Sequence, residues 1–528
     1  MRARLAAGSP LTVRGMEPRV SPVPQTAVAF ILTLLALGSA TTWAAESPKV
    51  PMRLDDGDTL PSPGAAEPEK SVISIINFSQ TPVWDAPWRF EPVQRATGSG
   101  FVIKGQKIMT NAHVISWGRQ ILVRRLGDPR LYNARVRFVG HDCDLALLEV
   151  EDPRFFEGLE PLDFGELPTE RSSVVTFGYP AGGEQLSYTR GVVSRIEMQP
   201  YSHIGNRSFL AVQTDSAINP GNSGGPVLLD GKVVGVAFQA ITQLENTGFF
   251  IPTPIIAHFM KDIEDGRYDG FPDLGVFLAS MQNTAYRRRV GLPDDSRGAR
   301  IDGVFPIPEA KAKLRVDDVI LRIGPYDVAS DQTISYEGHR VHAGVATDLV
   351  QNGEHIEMEI WRDGKALTID LITRVFTDDR REGNQYDVLP RYFVHAGLIF
   401  VPLSLDYLKT FGRNWTAVAL PELIYELKFR RWEDPEHWRP EPVVLAGVLS
   451  HSVNANMLTG GRSLVDRING IRIERLEDAV RAIDTCTNDQ HVIEFMPSSR
   501  FDCLDRKAAA AAHGEILKNY SITADRRL

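Results

Sequence analysis

Ser223, His113 and Asp144 are three side chains whose types and chain order could together perform nucleophilic catalysis. Ser223 lies in a glycine-rich turn, Gly221-Asn222-Ser223-Gly224-Gly225-Pro226. A serine hydroxyl attacks only when a base takes its proton and a third group orients that base. His113 directly follows a predicted strand and can be the base, while Asp144 begins an apolar strand and can accept the imidazole N–H. The glycines would let the amides of Gly221 and Ser223 point toward one oxyanion.

The turn around Ser223 also matches the Gly-x-Ser-x-Gly nucleophile elbow of α/β-hydrolases. That elbow joins a strand to a helix, and its acid and histidine follow the serine. Here a proline and a β-hairpin follow Ser223, whereas His113 and Asp144 precede it. Each residue alone has an ordinary explanation as a loop or turn residue. The order His, Asp, Ser is that of a chymotrypsin-like barrel, so we expect a serine endopeptidase of that fold.

The elements that must position these residues are short β-rich runs separated by turn residues. The predicted strands cover residues 71–78, 98–103, 107–110, 174–179, 227–229 and 233–238. Asp230-Gly231, between the last two strands, favours a type I′ hairpin turn. The pattern predicts an antiparallel barrel or sandwich, followed by a short closing helix over residues 255–265.

The second half of the chain contains a weak internal repeat. Residues 314–324 (LRVDDVILRIG) resemble residues 464–471 (LVDRINGI), and each segment is typical of a strand that enters a turn. This spacing predicts two small α+β modules. The 528 residues are long enough for about three domains. An Ala run after Arg506 predicts a short terminal helix.

The net charge and the N-terminal segment limit which classes of partner and which cellular compartment we expect. A net charge of −9 without a basic block argues against nucleic acid. Several arginines precede an apolar run over residues 27–37, and Thr42-Trp43-Ala44 fits a signal-peptide cleavage site. We expect export, to the periplasm in a bacterial host, or a targeting peptide in a plant-like host. The alternative is an uncleaved anchor, although the apolar run is shorter than the ~20 residues that span a bilayer.

Cys143, Cys486 and Cys503 are the only cysteines, too few for a disulfide scaffold. Cys486 and Cys503 either pair in an oxidising compartment or remain thiols. The cysteines and histidines show no metal-binding spacing, so we expect no metal and no cofactor.

Four stretches of this sequence resemble the HtrA/Deg family of ATP-independent serine proteases. They are Gly98-Ser99-Gly100-Phe101, Thr110-Asn111-Ala112-His113-Val114, Asp144-Leu145-Ala146-Leu147-Leu148 and residues 213–226 (QTDSAINPGNSGGP). The resemblance implies a double β-barrel with His113 as general base, Asp144 as its orienter and Ser223 as nucleophile. It also implies an oxyanion hole made by the amides of Gly221 and Ser223. Asp142 is a rival acid, but the family's acid directly precedes the Leu-Ala pair, which favours Asp144.

The resemblance extends to the second half, because family members carry PDZ domains after the protease. It implies peptide-carboxylate loops at Asp273-Leu274-Gly275-Val276 and Gly397-Leu398-Ile399-Phe400, which would bind peptide C-termini at a sheet edge. Ile399 stands where glycine is expected. Residues 396–415 look most like the plant-type Deg branch and its bacterial relatives, in which the second PDZ domain is degenerate. The alternative is that both modules serve packing or assembly alone.

The expected fold class is mainly β, a chymotrypsin-like double barrel followed by two α+β PDZ-like domains. The predicted organisation is a signal peptide (1–45), a flexible linker (46–70), a trypsin-like protease domain (71–268), a first PDZ-like domain (269–378), a divergent second one (379–505) and a C-terminal tail (506–528).

The predicted function is degradation of unfolded or damaged proteins in protein quality control. Ala217 stands six residues before Ser223, where an acid would favour basic P1 residues, so we expect a small or medium apolar P1 residue. The family resemblance implies a homo-oligomer, a trimer or a multiple of trimers. The aromatic residues Phe78, Trp84, Trp88 and Phe90 could supply its contact, or could pack on the barrel. The alternative function is a non-catalytic chaperone or PDZ scaffold.

Overall fold

The computed structural model describes residues 67–180, 185–240, 247–293, 297–377, 380–497 and 500–528. The predicted signal peptide and nearly all of the predicted flexible linker lie outside these ranges. Within the described ranges, no helix is both long enough and apolar enough to cross a membrane.

Six antiparallel strands close the first barrel in the order β1-β2-β3-β6-β5-β4. Their bounds are Val72–Ser79 (β1), Gln94–Ile103 (β2), Lys107–Thr110 (β3), Gly118–Arg124 (β4), Tyr132–Gly140 (β5) and Leu145–Val150 (β6). Ile73 and Ile75 alternate along β1 and are fully buried in the barrel core. The hairpin predicted between residues 98 and 110 is confirmed, with Gly105 and Gln106 left-handed at its turn. A short helix, α1 (Ala112–Ile115), follows β3.

The second barrel closes in the order β10-β11-β12-β9-β8-β7. Its strands are Ser173–Gly178 (β7), Ser187–Pro200 (β8), Ser208–Thr214 (β9), Pro226–Leu229 (β10), Lys232–Ala240 (β11) and Gly248–Pro252 (β12). Asp230 and Gly231 have φ values of +50° and +77°, as the predicted type I′ turn requires. The two closed barrels confirm the predicted mainly β fold.

Helix α2 (Thr253–Asp262) closes the second barrel and confirms the helix predicted there. Ile255 and Phe259 are buried from this helix in the barrel core. The same apolar core continues into the following module, where Phe271 packs on Phe209 with ring centroids 4.8 Å apart. The second barrel and the module after it therefore share one core.

The middle module is built on a six-stranded sheet in the order β13-β14-β15-β19-β20, with β16 paired to β15. Its strands are Val276–Ala279 (β13), Ala299–Val304 (β14), Val319–Ile323 (β15), Tyr326–Asp327 (β16), His355–Arg362 (β19) and Lys365–Ile372 (β20), and a separate hairpin joins Thr333–Tyr336 (β17) to His339–His342 (β18). Its helices are Thr284–Arg289 (α3), Pro308–Lys313 (α4) and Val345–Asp348 (α5). Within the described residues, β13 pairs with β14 alone and leaves its other edge open.

The last module has an eight-stranded sheet in the order β27-β26-β24-β23-β22-β21-β28, with β25 paired to β24. Its strands are Tyr392–His395 (β21), Leu398–Pro402 (β22), Val443–Val448 (β23), Ser463–Ile468 (β24), Ile471–Arg472 (β25), Gln490–Phe495 (β26), Arg500–Asp505 (β27) and Arg526–Arg527 (β28). Its helices are Leu405–Lys409 (α6), Trp415–Val418 (α7), Pro421–Lys428 (α8), Arg430–Glu433 (α9), Leu476–Asp484 (α10) and Arg506–Asn519 (α11). Single turns of 3-10 helix cover Pro68–Ser71, Pro153–Phe156, Ile263–Asp265 and Arg380–Glu382.

The internal repeat appears as a shared strand pattern in the two modules. In the first, β15 pairs with the two-residue β16 and with β19; in the second, β24 pairs with the two-residue β25 and with β26. The terminal helix predicted after Arg506 is confirmed as α11. The strand that follows it, β28, pairs with β21, so the residues assigned to a tail contribute to the last sheet.

The three cysteines are all unpaired thiols in the structure, Cys143 buried, Cys486 partly exposed and Cys503 exposed. In the part of the chain that the structure describes, no cluster of three or more His, Cys, Asp or Glu side chains is arranged to hold a metal ion.

Candidate active site

The pairing of β3 with β6 brings the segments of His113 and Asp144 together. The last residue of β3, Thr110, pairs with Ala146 in β6, so the residues after β3 leave the sheet beside the loop that carries Asp144. The carbonyl oxygen of Asp144 accepts two further hydrogen bonds, from Asn111 Nδ2 at 2.9 Å and from the Ala112 amide at 3.2 Å. These bonds fix the start of α1 against the Asp144 loop.

The Asp144 carboxylate contacts His113 at two points. Oδ1 accepts the His113 backbone N–H at 2.8 Å, and Oδ2 lies 2.7 Å from His113 Nδ1. An ionised carboxylate only accepts hydrogen bonds, so Nδ1 carries the ring proton and Nε2 of the neutral imidazole keeps its lone pair. The Asp144 side chain is 2% exposed and that of His113 is 33% exposed. The acid is therefore buried, and the base is accessible to a substrate.

Electrostatics in this pair shift both pKa values. Burial lowers the pKa of His113, but the Asp144 charge and its hydrogen bond outweigh burial and leave that pKa above its ordinary value. Burial raises the pKa of Asp144, but the charge of His113 and the hydrogen bonds from His113 leave it below its ordinary value. Asp144 is consequently a carboxylate at neutral pH, and it stabilises positive charge on His113.

Asp142, the rival acid, contacts a different set of donors. Its Oδ1 accepts hydrogen bonds from the Tyr268 hydroxyl and, at 3.0 Å, from the Cys143 amide, and its Oδ2 accepts the Phe271 amide at 3.3 Å. These partners lie beside the carboxylate and after α2, away from the His113 segment. Asp142 thus joins the first barrel to the residues after α2, while Asp144 meets the imidazole.

The turn before Ser223 has the geometry of a type II turn. The Asn222 amide donates to the Asn219 carbonyl oxygen at 2.9 Å, and Gly221 has a φ of +102°. Proline at the second position and glycine at the third are typical of this turn, because the third residue needs a positive φ. The sequence Asn219-Pro220-Gly221-Asn222 therefore dictates the bend that precedes Ser223, in the turn before β10.

The hydroxyl of Ser223 and the amides of Gly221 and Ser223 make few hydrogen bonds of their own within the described residues. Ser223 Oγ donates to the Phe238 carbonyl oxygen at 3.4 Å, a long and therefore weak hydrogen bond. Within the described ranges, the amides of Gly221 and Ser223 donate no hydrogen bond. Both amides can therefore donate to a substrate oxygen.

Ser99 in β2 joins the first barrel to the Ser223 turn, a role that the sequence analysis did not predict. Its hydroxyl donates to the Gly221 carbonyl oxygen at 2.7 Å and accepts the Tyr179 amide at 2.8 Å, and its own amide donates to the Ser223 carbonyl oxygen at 2.8 Å. Ser99 is fully buried. The available sequence signal was its place between Gly98 and Gly100, in a stretch noted for the family resemblance alone.

The two candidate carboxylate loops occupy different positions in their sheets. Leu274 and Gly275 precede β13, which begins at Val276 and whose outer edge has no strand partner among the described residues. Gly397 precedes β22, which contains Leu398, Ile399 and Phe400 and pairs with β21 on one side and with β23 on the other. A peptide that binds by strand addition needs an open sheet edge, which β13 offers and β22 does not.

Comparison with known proteins identifies the family to which this chain belongs. The trypsin-like peptidase domain family matches residues 98–236, and the PDZ domain family matches residues 382–527. Protease Do-like 4, mitochondrial, from Arabidopsis thaliana is 36% identical over 419 residues, which cover 79% of this chain and 77% of that protein. The chain belongs to the Do-like, or HtrA/Deg, serine protease family.

A second plant relative extends the match over most of this HtrA/Deg protease. Protease Do-like 2, chloroplastic, from Arabidopsis thaliana is 34% identical over 464 residues, covering 86% of this chain and 74% of that protein. The predicted resemblance to the plant-type branch is confirmed, and the protein is a serine endopeptidase. Among solved structures, the HtrA-type protease AlgW with decapeptide gives a TM-score of 0.45 at 22% identity, over 59% of this chain and 97% of that chain.

Proposed function

We propose that this HtrA/Deg protease degrades unfolded or damaged proteins without ATP, through a Ser-His-Asp acyl-enzyme mechanism, as part of protein quality control. The observation that carries the catalytic assignment is the two-point contact of the Asp144 carboxylate with the amide and Nδ1 of His113, at 2.8 and 2.7 Å. Such a contact fixes both the orientation and the tautomer of a general base.

In this mechanism Ser223 Oγ attacks the scissile carbonyl carbon while His113 Nε2 takes the hydroxyl proton. The negative charge that develops on the carbonyl oxygen is stabilised by the amides of Gly221 and Ser223. His113 then gives its proton to the leaving amine, which departs and leaves an acyl group on Ser223. Water, deprotonated by His113, releases the acyl group and restores the serine.

The serine hydroxyl must turn before it reacts, because its single proton is donated to the Phe238 carbonyl oxygen. Rotation about one side-chain bond redirects that proton toward His113. The bond that is lost is 3.4 Å long, so the rotation costs little free energy. We therefore infer that Ser223 rotates about this side-chain bond before it attacks the substrate.

Unfolded chains are the substrate class that this site fits. A folded substrate would first have to unfold locally to place an extended segment across Ser223. The open edge of β13, next to Leu274, Gly275 and Val276, can add an extended peptide C-terminus as a further strand. Ala217 brings no charge to the position six residues before Ser223, which favours a small or medium apolar P1 residue.

Export and assembly as a homo-oligomer belong to the same proposal. The N-terminal segment has the pattern of a cleaved signal, while the two plant relatives are named as mitochondrial and chloroplastic proteins. Within the chain, Trp88 packs on Tyr392 with ring centroids 5.8 Å apart, and Arg119 lies 5.0 Å from the Phe90 ring centroid. These two aromatic side chains therefore pack within the chain, and a trimer contact there would rest on Phe78 and Trp84.

Casein turnover by the wild type and by Ser223→Ala tests the proposal. We expect the wild type to cleave casein without ATP, the variant to lose activity, and a fluorophosphonate probe to label the wild type alone. Mass spectrometry of the same digest identifies the P1 residues. Equal activity of the variant would overturn the mechanism, and a majority of Arg or Lys at P1 would overturn the specificity. Probe labelling that appears only when unfolded substrate is added would identify a site that substrate activates.

A further inference from the structure

A segment between the middle and last modules reaches the two loops that carry His113 and Asp144. We name residues 384–387 the linker segment, which is distinct from the flexible linker predicted over residues 46–70. The Asn384 amide donates to the Ile204 carbonyl oxygen at 2.8 Å, and the Tyr386 hydroxyl donates to the His203 carbonyl oxygen at 2.9 Å. These bonds hold the linker segment against the first turn after β8.

Asp387, at the end of the linker segment, bridges the two loops with a single carboxylate. Its Oδ1 accepts the backbone N–H of Trp117 at 2.6 Å, and Trp117 lies four residues after His113. Its Oδ2 lies 3.1 Å from Nε2 of His141, which lies three residues before Asp144. One side chain from outside the barrels therefore joins the end of the His113 segment to the start of the Asp144 loop.

The chain of contacts continues from Asp387 to the imidazole of His113. His141 Nδ1 lies 3.0 Å from His203 Nε2, and the His203 ring stacks on Tyr386 with centroids 3.8 Å apart. His203 also lies next to His113, with ring centroids 6.1 Å apart. Burial lowers the pKa of His203 to about 3, against the charge of Asp144, so the ring is neutral at the pH of the reaction. His203 is thus an uncharged packing surface between Tyr386 and the base.

The remaining residues of the linker segment are also held by polar contacts. Asn384 Nδ2 donates to the His203 carbonyl oxygen at 2.5 Å, and the Gln385 amide donates to Asp406 Oδ2 at 2.8 Å. These contacts hold the segment in place, while the Asp387 carboxylate is the group that reaches both Trp117 and His141.

We propose that Asp387, supported by Tyr386, is a positioning residue of the protease, which holds the His113 and Asp144 loops in the relative position that catalysis requires. The inference rests on the proposed catalytic roles of His113 and Asp144. Asp387 contacts neither substrate nor Ser223 and acts through the loops. Misplacement of a catalytic group by about 1 Å lowers turnover by up to roughly 100-fold.

If Asp387 only packs the modules together, a different result is expected. A control variant at a similar contact between modules distinguishes the two cases. Glu170 Oε1 lies 3.1 Å from Nδ1 of His339, and this pair also joins the protease domain to a later module through a histidine and a carboxylate. Glu170→Gln removes that charge and leaves the His113 and Asp144 loops untouched. If interdomain packing alone matters, Glu170→Gln and Asp387→Ala should change activity to the same extent.

The experiment measures kcat and KM of the full chain on a short chromogenic peptide, for wild type, Asp387→Ala, Asp387→Asn, Glu170→Gln and Ser223→Ala. Active-site titration with a fluorophosphonate normalises the rates of the variants that keep Ser223 to competent sites, so loss of folded protein does not count as loss of turnover; the Ser223→Ala rate is normalised to protein concentration. We expect Asp387→Ala to lower kcat about 10- to 100-fold with KM changed less than about twofold. Asp387→Asn, which keeps an acceptor for Trp117, should fall between Asp387→Ala and the wild type.

The outcomes separate this inference from the proposed function. Wild-type kcat in Asp387→Ala, or an equal loss in Glu170→Gln, would overturn the positioning role while the inactive Ser223→Ala still supports the triad. Activity that persists in Ser223→Ala would overturn the proposed function itself. A loss confined to Asp387→Ala and partly rescued in Asp387→Asn supports Asp387 as a positioning residue.

Discussion

An Asp144→Asn substitution would exchange one carboxylate oxygen for an NH2 group beside the imidazole of His113. The native carboxylate accepts two N–H groups, the His113 amide at 2.8 Å and Nδ1 at 2.7 Å. The amide oxygen of asparagine can accept only one of them in this geometry. If it keeps the backbone N–H, the NH2 group faces Nδ1, and the ring proton moves to Nε2.

A His113 ring with its proton on Nε2 cannot take the proton of Ser223. The corresponding tautomer error in a serine protease triad lowers kcat about 10⁴-fold, which is about 5.4 kcal/mol at 1.36 kcal/mol per tenfold. The Asp144 side chain is 2% exposed, so bulk solvent does not relieve the mismatch. We therefore expect a loss of that order in kcat with a KM close to that of the wild type.

The assay is steady-state cleavage of a short chromogenic peptide at pH 8, with Asp142→Asn as the matched control. Asp142 carries the same chemical group two residues away but contacts Tyr268 and the amides of Cys143 and Phe271. We expect Asp142→Asn to retain kcat near the wild-type value. A stronger effect of Asp142→Asn, or more than about a tenth of wild-type kcat in Asp144→Asn, would refute the orienting role of Asp144.

Two further predictions concern the serine turn and pH. Ser99→Ala removes hydrogen bonds to Gly221 and Tyr179, so the free energy of unfolding in urea should fall by about 1–3 kcal/mol and kcat should fall as well. Ser74→Ala, directly opposite in β1, should leave kcat unchanged; equal losses in both would contradict the role of Ser99. kcat/KM should rise with pH with a midpoint above 6.5, because the pKa of His113 is raised and the base must be neutral; a midpoint below 6.5 would contradict this. The same shift stabilises the fold fully below pH 6.5, and that contribution is lost as pH rises through the His113 pKa, which pH-dependent melting can measure.

The candidate catalytic residues could be predicted from the sequence because local patterns specify them. Pro220 and Gly221 dictate the turn before Ser223, and the apolar run after Asp144 identifies the buried strand β6. The choice between Asp142 and Asp144 depended on a family resemblance. In the structure it follows from the pairing of β3 with β6, which places Asp144 beside α1.

Contacts between distant segments could not be found in this way. The pairing of β21 and β23 with β22 closes both edges beside the second carboxylate loop, although the sequence there resembles a peptide-binding loop. Asp387 and Trp117 are 270 residues apart, and no local periodicity records their contact. Ser99 is a similar case, since its partners lie in the other barrel.

The division of the site between two barrels has a consequence for the newborn chain on the ribosome. His113, Asp144 and Ser99 are synthesised with the first barrel and Ser223 with the second, so, if Ser223 is the nucleophile, a chain that ends before Ser223 cannot cut itself or its neighbours. Roughly 160 further residues separate Ser223 from Asp387, which takes about 10–30 s of translation. If Asp387 positions the loops, the chain reaches full protease activity only after the linker segment has been synthesised. The order of synthesis then delays self-digestion.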